Sequence, residues 1–167
     1  APFPPADHPN GTLFGDPDGS FVLVDPAIRM REDMEALATA VERHKGELKA
    51  VLFTHSHGDH LADMSLLREA FDVPVWGSTH THLSVPCDRI LVDGEVLELG
   101  VQQWEVLITP GHHPGHVCLL SEAGLIAGDM VAGFGTILVP PHTGDMGVYI
   151  EQLQRLSGSN PHLIFPS

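Results

Sequence analysis

Three histidines and an aspartate fall within six positions in His55-Ser56-His57-Gly58-Asp59-His60. Imidazole nitrogens and carboxylate oxygens are donors that zinc and related divalent ions prefer, so this density points to metal chemistry. Where the backbone leaves a strand in extended form, residues i and i+2 point the same way, and the imidazoles of His55 and His57 converge on one ion. Gly58 lets the loop turn without steric cost, so that Asp59 and His60 face a second position. Farther along, Thr109-Pro110-Gly111-His112-His113-Pro114-Gly115-His116 offers His112 as a third imidazole for the first ion. Asp129, preceded by Gly128, supplies a carboxylate whose two oxygens can bridge both ions.

Zinc held in this way lowers the pKa of a bound water from ~15.7 to about 7, providing hydroxide at neutral pH to attack a carbonyl that the metal polarises. No Gly-x-Ser-x-Gly element and no Cys–His signature competes for the role of nucleophile. Asp59 has a second reading, as general base. His116 reads as a histidine that supports the ligands or packs a hairpin. His80 and His82 follow Ser78-Thr79, which reads as a helix cap, and i,i+2 side chains on a helix diverge, so both are assigned to the surface. Trp76, Trp104 and the methionines read as core.

The elements that must position these groups are legible in the apolar pattern. Phe21-Val22-Leu23-Val24 reads as a buried strand ending at Asp25-Pro26, and Ala50-Val51-Leu52-Phe53 as a second that runs into the histidine motif. Between them, Met34, Leu37, Ala38 and Val41 recur at helical spacing and Gly46 marks a stop. Residues 61–71 read as helix, Val73-Pro74-Val75-Trp76 as strand, and Glu95 to Thr109 as two strands turning at Gly100. Val117-Cys118-Leu119-Leu120 and Leu125-Ile126-Ala127 form a hairpin ending at Gly128-Asp129. Residues 145–156 read as helix and Leu163-Ile164-Phe165 as a last strand. Both metal motifs therefore fall at carboxyl ends of strands, where α/β sheets place ligands.

With 167 residues, 43% apolar and 18% charged, the chain fits one soluble domain with a real core and contains no apolar run long enough to span a bilayer. Twenty-two acidic against eight basic residues give a formal charge of −14, which disfavours nucleic acid as a partner. Residues 1–10 are proline-rich and lack the basic and apolar regions of a signal peptide. Cys87 and Cys118 form no CxxC pair and read as reduced thiols, favouring the cytoplasm.

Taken together, these motifs resemble those of the metallo-β-lactamase superfamily: HxHxDH on the first loop, a distant His, a bridging Asp and a final His. The resemblance runs from the Phe21–Asp25 strand to the last residues. Residues 109–116 are similar to the TPGHTPGH element of the glyoxalase II and lactamase-β-2-like branches, with His113 where Thr or Ser is usual. This resemblance implies an α/β fold, a four-layer αββα sandwich, forming one domain over residues 1–167. It implies two zinc ions, with iron or manganese as alternatives: the first held by His55, His57 and His112, the second by Asp59, His60 and Asp129. It also places His142, after Pro140-Pro141, in a loop that overhangs the active site, as a substrate contact or a solvated loop residue. A final His is expected just after a late strand; Leu163-Ile164-Phe165-Pro166-Ser167 resembles that strand, so the expectation is a fragment of a longer protein, or else a weakened second site. The implied function is a metal-dependent hydrolase of a small ester, thioester or related acyl substrate. Its alternatives are a mononuclear-iron persulfide dioxygenase, a lactamase-β-2-like ribonuclease and an inactive metal-binding domain.

Overall fold

The computed structural model describes residues 11–16 and 18–166. The proline-rich start and residue 167 lie outside them. In chain order the elements are β1 (Thr12–Gly15), β2 (Ser20–Val24), α1 (Arg31–Glu42), β3 (Glu47–Leu52), α2 (Met64–Ala70), β4 (Val75–Gly77), α3 (Thr79–Ser84), β5 (Arg89–Ile90), β6 (Val96–Leu99), β7 (Gln102–Ile108), β8 (Val117–Ser121), β9 (Gly124–Gly128), α4 (Met146–Gly158) and β10 (Ile164–Pro166). They build two five-stranded sheets, ordered β1-β2-β3-β4-β5 and β10-β9-β8-β7-β6. In the first, β1 is antiparallel to β2, and β2 to β5 run parallel. In the second, β6 to β9 are antiparallel and β10 joins β9 in parallel.

The apolar runs of β2 and β3 are continuous because both of their faces are covered. Val22 and Val24 of β2, with Ala50 and Leu52 of β3, point between the sheets and meet Trp104, Val106, Val117, Leu119 and Ile126 from the other sheet. The alternate residues Phe21, Leu23 and Val51 point the opposite way, onto Met34 and Val41 of α1 and Leu67 of α2. On the far side, Leu107, Cys118, Leu125 and Ala127 pack against Leu156 of α4. The result is the expected αββα sandwich. Burial of each large aliphatic side chain in these layers contributes roughly 1.5–3 kcal/mol, which is what makes the sheet alternation decisive for the fold.

Helix ends follow their caps: Asp63 accepts from the Ser65 and Leu66 amides, Ser78 from Thr81, and Asp145 from Val148. His80 and His82 on the capped α3 are exposed, as expected. Trp76 and Trp104 are core residues, and so are Met34 and Met130. The assignment of all methionines to the core is corrected by Met30 and Met146, which are 61% and 55% exposed because they sit at helix starts that face solvent. Both cysteines are free and buried. Among the described residues no helix is long and apolar enough to cross a membrane.

Candidate metal centre

Parallel β2 and β3 end side by side, and their ends build the first half of the site. Asp25, just beyond β2, is 2% exposed and accepts from the Thr54 amide (2.8 Å) and the Thr54 hydroxyl (2.6 Å). The same carboxylate lies 3.0 Å from His60 Nδ1. Asp25 and Ala27 hold φ of 43° and 53°, a left-handed conformation that costs non-glycine residues about 1–2 kcal/mol each. Backbone bonds from Asp25 to the Leu52 carbonyl and from Ala27 to that of His60 fasten this turn to the histidine loop. The Arg29 guanidinium donates to the Gly58 carbonyl on the same loop.

The hydrogen bonds behind each imidazole determine which nitrogen carries the proton. Thr54 donates its hydroxyl proton to Asp25, so its oxygen accepts from His55 Nδ1 at 3.0 Å, leaving a lone pair on His55 Nε2. His112 Nδ1 donates to the Leu138 carbonyl at 2.7 Å, leaving a lone pair on His112 Nε2. Those two lone pairs face each other at 3.3 Å, with His57 Nδ1 at 3.0 and 2.9 Å from them. Converging lone pairs repel unless a proton, such as one on His57 Nδ1, or a cation lies between them. Three nitrogens at 2.0–2.1 Å from a tetrahedral ion would stand about 3.3 Å apart, close to the spacing found. The carboxylate of Asp129 completes the set, with Oδ2 3.3 Å from His112 Nε2 and 3.9 Å from His55 Nε2. Its other oxygen, Oδ1, lies 3.2 Å from His60 Nε2. The donor atoms of His55, His57, His112 and Asp129 all lie within 4.8 Å of one another, a cluster capable of holding a metal ion.

Electrostatics agree with this donor set. Burial drives the His55 imidazole well below its ordinary pKa, reinforced by the neighbouring His60, His116, His112 and His57. Burial likewise lowers His57 and His112, keeping both neutral and able to bind an ion. His113 falls to about 4 for the same reason. His60 goes the other way: burial opposes its charge, but hydrogen bonds to Asp129 and Asp25 outweigh it and raise the imidazole to about 10. Asp129 is held below the usual carboxylate range, because the hydrogen bond and charge of His60 overcome the effect of burial.

The second motif is positioned from α4 and the β8–β9 hairpin. Gly111 has φ of 130°, and a Cβ there would lie 2.4 Å from the Tyr149 Cα, so α4 packs directly on the glycine. The Asp145 amide bonds to the Gly111 carbonyl at 2.7 Å. His116, fully buried, accepts the Asp129 amide on Nε2 (3.0 Å) and donates from Nδ1 to Thr109 (2.9 Å), which places the supporting role expected of it.

Of the residues expected to meet at the site, the structure brings together His55, His57, His60, His112 and Asp129. Asp59 joins neither cluster of converging atoms; its charge favours the protonated forms of His57 and His112. His142 is exposed on the loop between β9 and α4. Asp25, Thr54 and the Leu138 carbonyl were not singled out from the sequence. A signal did exist for Asp25: a carboxylate at the carboxyl end of a buried strand next to the one that delivers the motif. A further cluster of Asp25, His55 and His60 is a support rather than a metal pocket, because Thr54 and His60 already occupy the Asp25 oxygens.

A histidine–aspartate centre at the shared edge of an αββα sandwich defines the class. The chain belongs to the metallo-beta-lactamase superfamily, whose family model matches residues 5–167. It is 30% identical over 139 residues to a hydroxyacylglutathione hydrolase of Francisella tularensis subsp. novicida, covering 81% of this chain and 53% of that protein. It is 30% identical over 146 residues to a hydroxyacylglutathione hydrolase of Bdellovibrio bacteriovorus, covering 86% and 55%. The chain thus spans about half the length of the curated relatives it matches. Among solved structures, ETHE1 from Myxococcus xanthus aligns with a TM-score of 0.77 at 25% identity, covering 92% of this chain and 68% of that one. TTHA1623 in a di-iron-bound form aligns with a TM-score of 0.75 at 25% identity, covering 95% and 86%.

Proposed function

We propose that this chain carries a metal-dependent hydrolase site for a small ester or thioester, with two zinc ions as cofactor. The observation that carries the reading is the set of lone pairs on His55 and His112 that converge with His57 and Asp129 on one point. In this reading His55, His57 and His112 hold the first ion. Asp129, with one oxygen beside His112 and the other beside His60, would contribute to both ions, and His60 would help to hold the second. Bound metal would supply a nucleophile at neutral pH and polarise the acyl oxygen.

The chain's own residues have separate tasks. Asp25 fixes the His60 ring by accepting a hydrogen bond from its Nδ1, the Thr54 hydroxyl does the same for His55, and the Leu138 carbonyl for His112. Asp59, beside His57, is proposed as a ligand to the second ion or as the group that accepts the proton released by water. The loop whose Leu138 carbonyl holds His112 also exposes the side chains of Phe134 and Leu138. The names of the relatives support a thioester substrate. Zinc content near two per chain together with turnover of a thioester would establish the hydrolase; absence of both sinks it.

A second reading, a mononuclear-iron persulfide dioxygenase, is favoured by ETHE1 among the structural neighbours. It is distinguished by a single iron and oxygen consumption with a persulfide substrate.

A further inference from the structure

The two loops that deliver the three imidazoles come from elements far apart in the chain, β3 and β7, yet one side-chain hydrogen bond ties them together. Ser56 stands between His55 and His57, and its hydroxyl lies 3.0 Å from His113 Nε2, the residue after His112. The proton on this bond can be placed. The Gly115 amide can only donate, and it donates to His113 Nδ1 at 3.1 Å, so in the neutral ring the proton sits on Nε2 and is given to Ser56. Both ends of the His113 imidazole are thus committed: one closes the turn of its own loop, the other crosses to the first loop.

Its placement is also steric. The His113 ring stands edge-on to His57, with centroids 5.0 Å apart and planes at 86°, and lies 5.5 Å from the His55 ring. His57 is the half-buried member of the three imidazoles, and its ring packs between those of His112 and His113. Among the described residues no hydrogen bond on His57 Nε2 anchors that ring as Thr54 anchors His55 and the Leu138 carbonyl anchors His112.

We propose that His113 is a positioning residue for the metal centre: through its hydrogen bond to Ser56 it braces the two ligand loops against each other and sets the spacing of His57 relative to His55 and His112. The proposal rests on the metal-site reading above. It assigns His113 no contact with the ion or the substrate. It does assign Ser56 a task that the spacing of the motif conceals, since the residue between two ligands of an H-x-H pair points away from them.

The test is a zinc titration of the chain, read by competition with a chromophoric chelator, on wild type, Ser56→Ala, His113→Phe, His113→Gln and the double variant S56A/H113F. Phenylalanine keeps the ring and removes both bonds, whereas the glutamine amide can still donate to Ser56. S56A and H113F should each weaken first-site zinc affinity about tenfold, the usual size of a lost support behind a metal ligand. The double variant should be no worse than the single ones, because both remove the same bond, and H113Q should recover most of the affinity. S56A creates only a small gap, so it tests the bond even if H113F disturbs packing. Thermal unfolding without metal should change far less than the affinity. Wild-type affinity in S56A and H113F overturns the inference, as does a double variant weakened by the product of the two single effects. A wild-type chain that binds no zinc overturns the metal reading itself, which is a different outcome.

Discussion

Asp25 and His60, each 2% exposed, meet at 3.0 Å between an Asp25 carboxylate oxygen and His60 Nδ1, and through that contact the end of β2 orients the far end of the metal loop. Because the Asp25 oxygens also hold the Thr54 amide and hydroxyl, one buried carboxylate controls two imidazoles, His60 directly and His55 through Thr54. Replacement by Asn keeps the shape but presents an NH₂ to one of these donors. Asp25→Asn should lower affinity for a second zinc by 10–100-fold. Asp25→Ala should reduce stability by about 3–5 kcal/mol, since it strands buried donors. Metal titration and denaturant unfolding check the two values; an unaltered second-site affinity in Asp25→Asn would show that Asp25 does not orient His60.

Without metal, the pH dependence of stability should have two limbs of opposite sign. His60, raised to about 10, holds its proton more tightly folded than unfolded, so its stabilisation is complete below about 6.5, the ordinary histidine value, and is lost as pH rises toward 10. His55, His57, His112, His113 and His116 are lowered by burial, so the unfolded chain binds more protons than the folded one on the acid side. Stability should therefore rise with pH up to about 6.5 and fall above it. Asp129, held low, adds to the acid limb, losing its contribution as pH drops through the carboxylate range. Saturating zinc should flatten the alkaline limb, because an ion and the His60 Nε2 proton compete for the same lone pair. Urea unfolding at a series of pH values, with and without zinc, measures both limbs.

Much of this arrangement was legible in the sequence because the signals were local. The runs at Phe21–Val24 and Ala50–Phe53 reveal buried strands, and the i,i+2 spacing of His55 and His57 already contains their convergence. The four-layer order followed from the resemblance and is borne out by the two sheets and their helices. What was not legible depends on distance or on the backbone. Asp25 reads as a strand stop before Pro26, and its partners Thr54 and His60 lie 29 and 35 positions away. The Leu138 carbonyl that fixes His112 is a backbone group, invisible to residue type. Strand β5, only Arg89 and Ile90 and both exposed, has no apolar alternation to betray it, and β1, Thr12–Gly15 with a single buried residue, is nearly as faint a signal.

Removal of the imidazoles should separate folding from metal binding. His55→Ala, His57→Ala and His112→Ala should each abolish the proposed ester or thioester hydrolysis and lose the first ion, while leaving the circular-dichroism spectrum close to that of the wild type. Asp129→Asn should lower metal stoichiometry and activity together, since its two oxygens face His112 and His60. If the centre binds zinc as proposed, a thousandfold excess over the dissociation constant should stabilise the wild type by about 4 kcal/mol; in His55→Ala and Asp129→Asn most of that zinc-dependent rise in unfolding temperature should vanish. A full rise in either variant contradicts its place in the centre.

Gly128, the residue before Asp129, provides the sharpest steric test. Its φ of 47° is left-handed, and a Cβ built on it would lie 2.6 Å from His116 Nε2 and 3.1 Å from the Thr54 hydroxyl oxygen. His116 cannot yield, because it is fully buried and held at both nitrogens, by Thr109 and by the Asp129 amide. Gly128→Ala therefore adds a clash to the left-handed penalty and should cost about 2–4 kcal/mol, of which about 1–2 is conformational. The clash pushes on the two groups that set Asp129 and His55, so zinc affinity should fall with stability. Gly94→Ala is the control: φ there is 79° with nothing within 4 Å of the added carbon, so only the conformational cost of about 1–2 kcal/mol applies and zinc affinity should be unchanged. Chemical unfolding and zinc titration of both variants make the comparison, and equal zinc affinity in the two would mean that His116 does not hold the Asp129 backbone in its binding position.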